Sequence, residues 1–314
     1  MPAELPVTPD DVARAAAVIR GRLHRTPVLT ARSLRDDVVL KAELLQRTGS
    51  FKTRGVLNNL ASLTAEERSR GVISVSAGNH AQALAWGAAQ EGIDALLVMW
   101  ESASPAKVAA TRAYGADVDL AAADPASAFA RLEELIEETG RVFVHPFDAP
   151  HTIAGQGTVG LEILEDAGGV DTVVVPCGGG GLVSGIAVAC VPRGVRVVAV
   201  EPEGSTAMRD GLAAGHPVPV TPSMFADALS APFAGKHTVA LCAALGVDVV
   251  TVTDDEIADA FRMLYARAKL AVEPGAAAGL AAVLTGRVEG ERIAVVVSGG
   301  NVSAQTASDI LMGR

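Results

Sequence analysis

Short runs rich in Val and Ile alternate along the whole chain with longer stretches whose apolar residues recur at helical spacing. The short runs are VVLKAEL at 38–44, GVISVSA at 71–77, ALLVMW at 95–100, RVFVHP at 141–146, DTVVVPC at 171–177, VRVVAVE at 195–201, VDVVTVT at 247–253 and ERIAVVVS at 291–298. Strands that return to one sheet after a helix do so by right-handed crossovers, so the pattern predicts largely parallel sheets flanked by helices. Helices are predicted at 9–20, 79–90, 105–114, 125–139 and 254–268. Thr253 stands where it caps the last of these, and Glu256 three residues on completes a capping box. Such folds bind ligands beyond the C-terminal ends of their strands, which directs attention to those loops.

Composition agrees with that architecture. Of 314 residues 49% are hydrophobic but only 4% aromatic, so the interior has to be aliphatic, as buried parallel strands are. The formal charge of -10, from 36 acidic and 26 basic side chains, argues against a nucleic-acid or anionic-membrane face. A small phosphate held by backbone amides at a helix start remains compatible with it. Cys177, Cys190 and Cys242 are odd in number, far apart and never spaced as CxxC, so neither a disulfide framework nor a structural zinc is expected. A reducing cytoplasm is the expected compartment, and the first residues carry no basic-then-apolar secretion signal. The uncharged stretch from Thr172 to Pro192 nears membrane-spanning length, but Pro176 and four consecutive glycines interrupt it. A strand, a tight loop and an apolar helix are expected there.

Four loops at strand ends collect the unusual residues. GSFKTRG at 49–55 sets Lys52 before a helical stretch; by itself such a lysine is a solvated or phosphate-facing charge, and the spacing is not that of a P-loop. SAGNHAQ at 76–82 opens a long apolar helix, where Ser76, Asn79 and His80 offer donors at the positive helix end or simply cap it. VVVPCGGGGLVSG at 173–185 places Gly178, Gly179, Gly180 and Gly181 between strand and helix, where successive N–H groups converge on phosphate oxygens without Cβ interference. It is not the dinucleotide fingerprint GxGxxG. VVVSGGN at 295–301 follows a buried strand, and its Ser298 either donates to a heterocyclic nitrogen or merely turns the chain.

With KAELLQRTGSFKTRG, HPFDAPHTIAGQGTVGLEIL and EPGAAAGLAAVL, these loops resemble, in order and spacing, the threonine dehydratase and serine racemase family of fold type II pyridoxal phosphate enzymes. The resemblance covers nearly the whole chain and is strongest to threonine dehydratase. It implies an α/β fold of the tryptophan synthase β type, with two open, mostly parallel sheets and the cofactor between them. It further implies a large domain from residues 1–70 and 142–314 and a small one from 71–141.

Residue by residue, the resemblance implies that Lys52 carries pyridoxal 5′-phosphate and serves as the catalytic base, with Phe51 against the ring and Asn79 on its hydroxyl oxygen. Gly178, Gly179, Gly180, Gly181 and Leu182 would hold the phosphate, Ser298 the pyridine nitrogen, and Ser76, Ala77, Gly78 and His80 the substrate carboxylate. The implied reaction is α,β-elimination from a small β-hydroxy amino acid, threonine or serine, to a 2-oxo acid and ammonia. A homodimer is the implied assembly. Dehydration of hydroxyaspartate or phenylserine, a lyase step in hydroxyectoine breakdown, β-replacement of the cysteine-synthase kind, and an inert cofactor-binding protein are the alternatives.

Two departures narrow this. Racemases of the family carry a serine before the glycine of the GNH motif, where this chain has Ala77, so little racemisation is expected. Many members bind a divalent cation after the strand ending in EP; here Ala207 stands in place of an acidic ligand, so weak or no binding of magnesium is expected at Glu201 and no metal site is assigned. The chain also ends a few residues after SGGN, and from that no isoleucine feedback domain is expected. The other histidines show no metal-ligand spacing, although His145 and His151 flank a turn that could approach the cofactor. The loop Ser223 to His237 is expected to shape the substrate pocket, with Phe225 and Asp227 as candidates.

Overall fold

The computed structural model describes residues 5–314; residues 1–4, where the expected large domain begins, lie outside the described residues. Its strands are β1 (Val28–Thr30), β2 (Val38–Ala42), β3 (Val72–Val75), β4 (Ala95–Trp100), β5 (Asp117–Ala122), β6 (Val142–Phe143), β7 (Thr172–Pro176), β8 (Arg196–Pro202), β9 (Asp248–Val252) and β10 (Ile293–Val297). The α-helices are α1 (Pro9–Ile19), α2 (Lys52–Ala61), α3 (Ala65–Arg70), α4 (Asn79–Glu91), α5 (Pro105–Ala113), α6 (Pro125–Thr139) and α7 (Pro150–Asp166). After them come α8 (Gly181–Cys190), α9 (Ala207–Ala214), α10 (Lys236–Ala244), α11 (Asp254–Met263), α12 (Pro274–Leu284) and α13 (Ala304–Met312).

The strands form a six-stranded sheet ordered β1-β2-β10-β7-β8-β9 and a four-stranded sheet ordered β5-β4-β3-β6. Among the described residues only β1 with β2 pairs antiparallel. Side-chain alternation fills both faces of the large sheet. Val173, Val175, Val197, Ala199, Ala294 and Val296 join one core, against α1, α7, α8 and α10. Their neighbours Val174, Val198, Val200, Ile293, Val295 and Val297 join the other, against α11 and α12. Each such valine contributes about 1.5–3 kcal/mol by leaving water. The small sheet is sandwiched in the same way, by α2, α4 and α5 on one face and α6 on the other.

Two boundaries differ from expectation. The strand foreseen at 141–146 keeps only Val142 and Phe143, because Pro146 has no N–H for a ladder. Those two residues pair with β3 and so belong to the small sheet, whereas the resemblance implies a large domain that resumes at residue 142. The helix foreseen at 254–268 leaves α geometry after Met263, passes through a π turn and closes on Lys269 at φ 62. The capping box of Thr253 and Glu256 forms as expected. The uncharged stretch from Thr172 to Pro192 resolves into β7, the glycine loop and α8, and no helix among the described residues is long and apolar enough to cross a membrane.

A buried ion network anchors the start of α2. The Arg54 guanidinium, 0% exposed, pairs with Glu43 at 2.8 Å and with Glu162 of α7 at 2.7 Å, and Lys41 of β2 pairs with Glu162 at 2.6 Å. Two cations thus balance two carboxylates inside the core, a neutral set whose loss of one member leaves an uncompensated charge. It lies half a turn from Lys52.

Candidate active site

Lys52 is the first residue of α2, and the chain before it is zipped to the loop after β10. Phe51 N–H donates to the Ser298 carbonyl at 3.2 Å, Gly300 N–H donates to the Gly49 carbonyl at 2.9 Å, and Ser50 bridges Gly299. The structure therefore brings Lys52 and Ser298 together from opposite ends of the sequence. Ser298 is 4% exposed. Phe51 is half-buried against the large-sheet core, and the Lys52 ammonium lies 5.2 Å from its ring centroid.

The amine of Lys52 donates to the carbonyl of Pro146 at 2.8 Å. Burial pushes its pKa down to about 8, with Glu273 pulling the other way. Pro146 is joined to Phe147, and Phe147 is the wall of the glycine loop. A Cβ on Gly179 would come within 2.5 Å of the Phe147 ring, and one on Gly181 within 2.7 Å of the Phe147 carbonyl oxygen. Gly178 packs as closely on the Leu229 carbonyl, and Gly180, at φ 92, on Met208 and Thr238. The loop needs glycine at all four positions. The loop leads into α8, whose first N–H groups have no intrahelical partner and which no side chain among the described residues caps. Leu182 turns its side chain into the core, so only its backbone faces the loop side.

From the small sheet, the Ser76–His80 loop starts α4, again without a side-chain cap. Ser76 Oγ accepts from Gly78 N–H at 3.1 Å, Ala77 is half-buried, and the Cβ side of Gly78 is open space. His80 turns its Nε2 to Val144 O at 3.1 Å and Ser74 Oγ at 3.0 Å. Because a carbonyl only accepts, Nε2 carries the proton and Nδ1 is a bare acceptor without a partner among the described residues. Burial, helped by Lys52, pushes His80 down to about 3 and keeps it neutral. Asn79 donates through Nδ2 to both oxygens of Glu273, at 2.7 and 3.0 Å, and its Oδ1 accepts from Asn301 at 2.7 Å.

Asp148 and Thr238 were not singled out from the sequence. Asp148 accepts the N–H groups of Lys236, His237 and Thr238 at 2.9, 2.8 and 3.2 Å and so caps α10. Thr238 in turn donates to the Gly179 carbonyl at 2.9 Å. His145 Nδ1 accepts the amides of Phe147 and Asp148, and burial lowers its pKa to about 4, which fixes it neutral with the proton on Nε2. Of the two pocket candidates in the loop Ser223 to His237, Phe225 packs into the core beneath the large sheet. Asp227 pairs instead with Lys107 of α5, a bridge from the large-sheet side to the small-sheet side. Glu201, the expected remnant of a cation site, spends both oxygens on the amides of Met208 and Arg209 at the start of α9.

These features fit pyridoxal phosphate. A buried amine of lowered pKa is hydrogen-bonded to Pro146, next to the Phe147 wall of a four-glycine loop that leads into an uncapped helix start, and Ser50 Oγ, Thr53 Oγ1 and His80 Nδ1 are buried polar atoms without a partner among the described residues. Comparison with known proteins agrees: residues 19–299 match the model of the family described as pyridoxal-phosphate dependent enzyme. The chain belongs to that family. Within the pyridoxal-phosphate-dependent family, it is 41% identical to the L-threonine ammonia-lyase of Thermotoga maritima, over 97% of this chain and 78% of that one. It is 42% identical to the phenylserine dehydratase of Ralstonia pickettii over 86% and 84%. The maize serine racemase structure superposes with a TM-score of 0.92 at 37% identity, covering 98% of both chains.

Proposed function

We propose that this enzyme is an ammonia-lyase that eliminates the β-hydroxyl of a small amino acid, threonine or serine, to give a 2-oxo acid and ammonia. The observation that carries the reading is the link from the Lys52 amine through Pro146 and Phe147 to the glycine loop, which puts a base and an anion cradle on one wall. In this reading Lys52 holds the cofactor, the amides of Gly178 to Leu182 hold its phosphate, Asn79 meets its ring oxygen and Ser298 its ring nitrogen. Bound pyridoxal phosphate supplies an electron sink for the charge left at Cα when a proton is removed.

The chain's own residues do the rest. Lys52, with a pKa of about 8, is a free amine in about a tenth of the molecules at pH 7 and takes the Cα proton as general base. The open space beside Gly78 and the uncapped amides of α4 receive the substrate carboxylate. Where racemases of the family carry a serine, Ala77 offers only a methyl group, and Ser76 is turned to its own backbone, so this loop supplies no hydroxyl to return the proton to the other face of Cα. That favours elimination over racemisation.

The same proposal takes the small domain as about residues 71–141 extended by β6, with the cofactor between the two sheets. It also takes the enzyme as a homodimer in the cytoplasm; three buried free cysteines support a reducing compartment, and sedimentation tests the assembly. The activity is tested by screening threonine, serine, hydroxyaspartate and phenylserine for 2-oxo acid and ammonia beside Lys52→Ala. Turnover of none of them by the cofactor-loaded protein, or covalent cofactor in the variant, rejects the proposal.

A further inference from the structure

We propose that Glu273 and Asn301 are positioning residues that clamp the Asn79 amide from both sides and fix it as a hydrogen-bond donor toward the ring oxygen of the cofactor. The inference rests on the reading of Asn79 given above and names what enforces it.

The hydrogen-bond inventory leaves one arrangement. Asn301 Nδ2 donates to the carbonyl of Thr48 at 2.7 Å and to Asn79 Oδ1 at 2.7 Å, so both its hydrogens are spent on acceptors. At the other end the two Glu273 oxygens stand 2.7 and 3.0 Å from Asn79 Nδ2. Seen from that nitrogen, two oxygens of one carboxylate subtend much less than the angle between the two N–H bonds, so they share one hydrogen. The second N–H of Asn79 has no partner among the described residues. A flipped Asn79 would aim its oxygen at a carboxylate and its NH2 at another NH2, losing a hydrogen bond at each end. The chain from Thr48 to Glu273 therefore decides which atom Asn79 presents, and the atom is a donor.

The clamp also joins loops from both sheets. Glu273 precedes α12, Asn301 follows β10, Thr48 lies just before Lys52 at φ 59, and Asn79 opens α4 on the small-sheet side. Glu273 is 3% exposed and is faced by Lys52, Lys107 and Asp227 as well as by Asn79. Gly299 leaves it room: a Cβ there would collide with Glu273 Oε1 and come within 3.3 Å of Asn79 Nδ2. Only glycine at 299 lets the carboxylate reach the amide. A donor aimed at the ring oxygen favours its anionic form, because hydrogen bonds to a charged group are stronger than those to its neutral form.

The test uses cofactor-free protein titrated with pyridoxal phosphate, reading the dissociation constant and the absorption band of the bound cofactor. Asn79→Ala, Glu273→Met, Glu273→Gln, Asn301→Ala and Gly299→Ala are compared, with the melting temperature of each cofactor-free variant as the folding check. Glu273→Met and Gly299→Ala are expected to bind about tenfold more weakly, and to shift the band in the same direction as Asn79→Ala. Glu273→Gln keeps one acceptor oxygen and is expected to recover most of the affinity. If Asn79→Ala shifts the band while Glu273→Met, Asn301→Ala and Gly299→Ala all match the wild type, the clamp is refuted. If Asn79→Ala itself changes neither readout, the reading of Asn79 fails and the clamp falls with it.

Discussion

The side-chain amine of Lys52 and the backbone carbonyl of Pro146 are hydrogen-bonded at 2.8 Å, and this contact holds the candidate base in place before any ligand arrives. A carbonyl accepts from the ammonium and the free amine alike, so the amine keeps its position through a change of charge. What changes with pH is its nucleophilicity.

Loading of the cofactor follows from that. Burial lowers the Lys52 pKa from 10.5 to about 8, so the reactive free amine is the minority form below pH 8 and the majority form above it. The rate of covalent pyridoxal phosphate incorporation into cofactor-free protein is expected to climb nearly tenfold per pH unit from 6 to 7 and to level off above about 8. Stopped-flow absorbance checks this; a plateau reached only near pH 10 sinks the assignment.

The glycine loop predicts a stability effect beside a binding effect. Gly179→Ala drives a methyl into the Phe147 ring, and Gly180→Ala adds strain at φ 92 to a clash with Met208. Each is expected to destabilise the fold by about 1–3 kcal/mol through overpacking. Each is also expected to weaken phosphate binding more than Gly194→Ala, which has positive φ but open space around it. Thermal melts with and without pyridoxal phosphate separate the two contributions.

Arg54 tests how the start of α2 is held. Arg54→Met leaves Glu43 buried, with the Thr26 hydroxyl as its remaining side-chain partner, and is expected to cost about 3–5 kcal/mol in urea unfolding. The double variant Arg54→Met with Glu43→Leu is expected to recover a large part of it, because no unpaired charge is left inside.

Ala77→Ser restores a hydroxyl to the loop that starts α4. The wild-type enzyme is expected to interconvert L- and D-serine far more slowly than it releases pyruvate from L-serine, and the variant to narrow that ratio at least tenfold. Chiral chromatography of the reaction mixture measures it. Rapid racemisation by the wild type contradicts the role given to Ala77.

The glycine loop, the SAGNH loop and Lys52 were legible in the sequence because each is a local pattern between a strand and a helix. β7, β8 and β10 were equally plain, being runs of valine buried on both faces. β5 was not, since DVDLAA is a half-exposed edge strand with two aspartates and no apolar run. Glu273 escaped notice for a different reason. Its partner Asn79 lies 194 residues away, and a glutamate before a proline and a run of alanines reads as a helix start until the fold brings that amide to it. Pro146 was invisible because its part is played by a backbone carbonyl, which every residue has. Asp148 resembled an ordinary turn residue, yet it caps α10, whose own N-cap Gly235 has no side chain.

The bridge between Lys107 and Asp227 has a consequence for the medium in which the enzyme works. Its side chains are 27% and 39% exposed, and it ties α5 on the small-sheet side to the loop Ser223 to His237 on the large-sheet side. A pair so open to solvent is worth about 0.2–1 kcal/mol and fades as salt shortens the reach of charge to below ~8 Å. Parting the two sheets at this point has to break the pair, so its loss at high salt is expected to ease such a parting by a factor of about 1.4 to 5. A salt-starved cell and a salt-rich one would run this same sequence as a tighter and a looser catalyst.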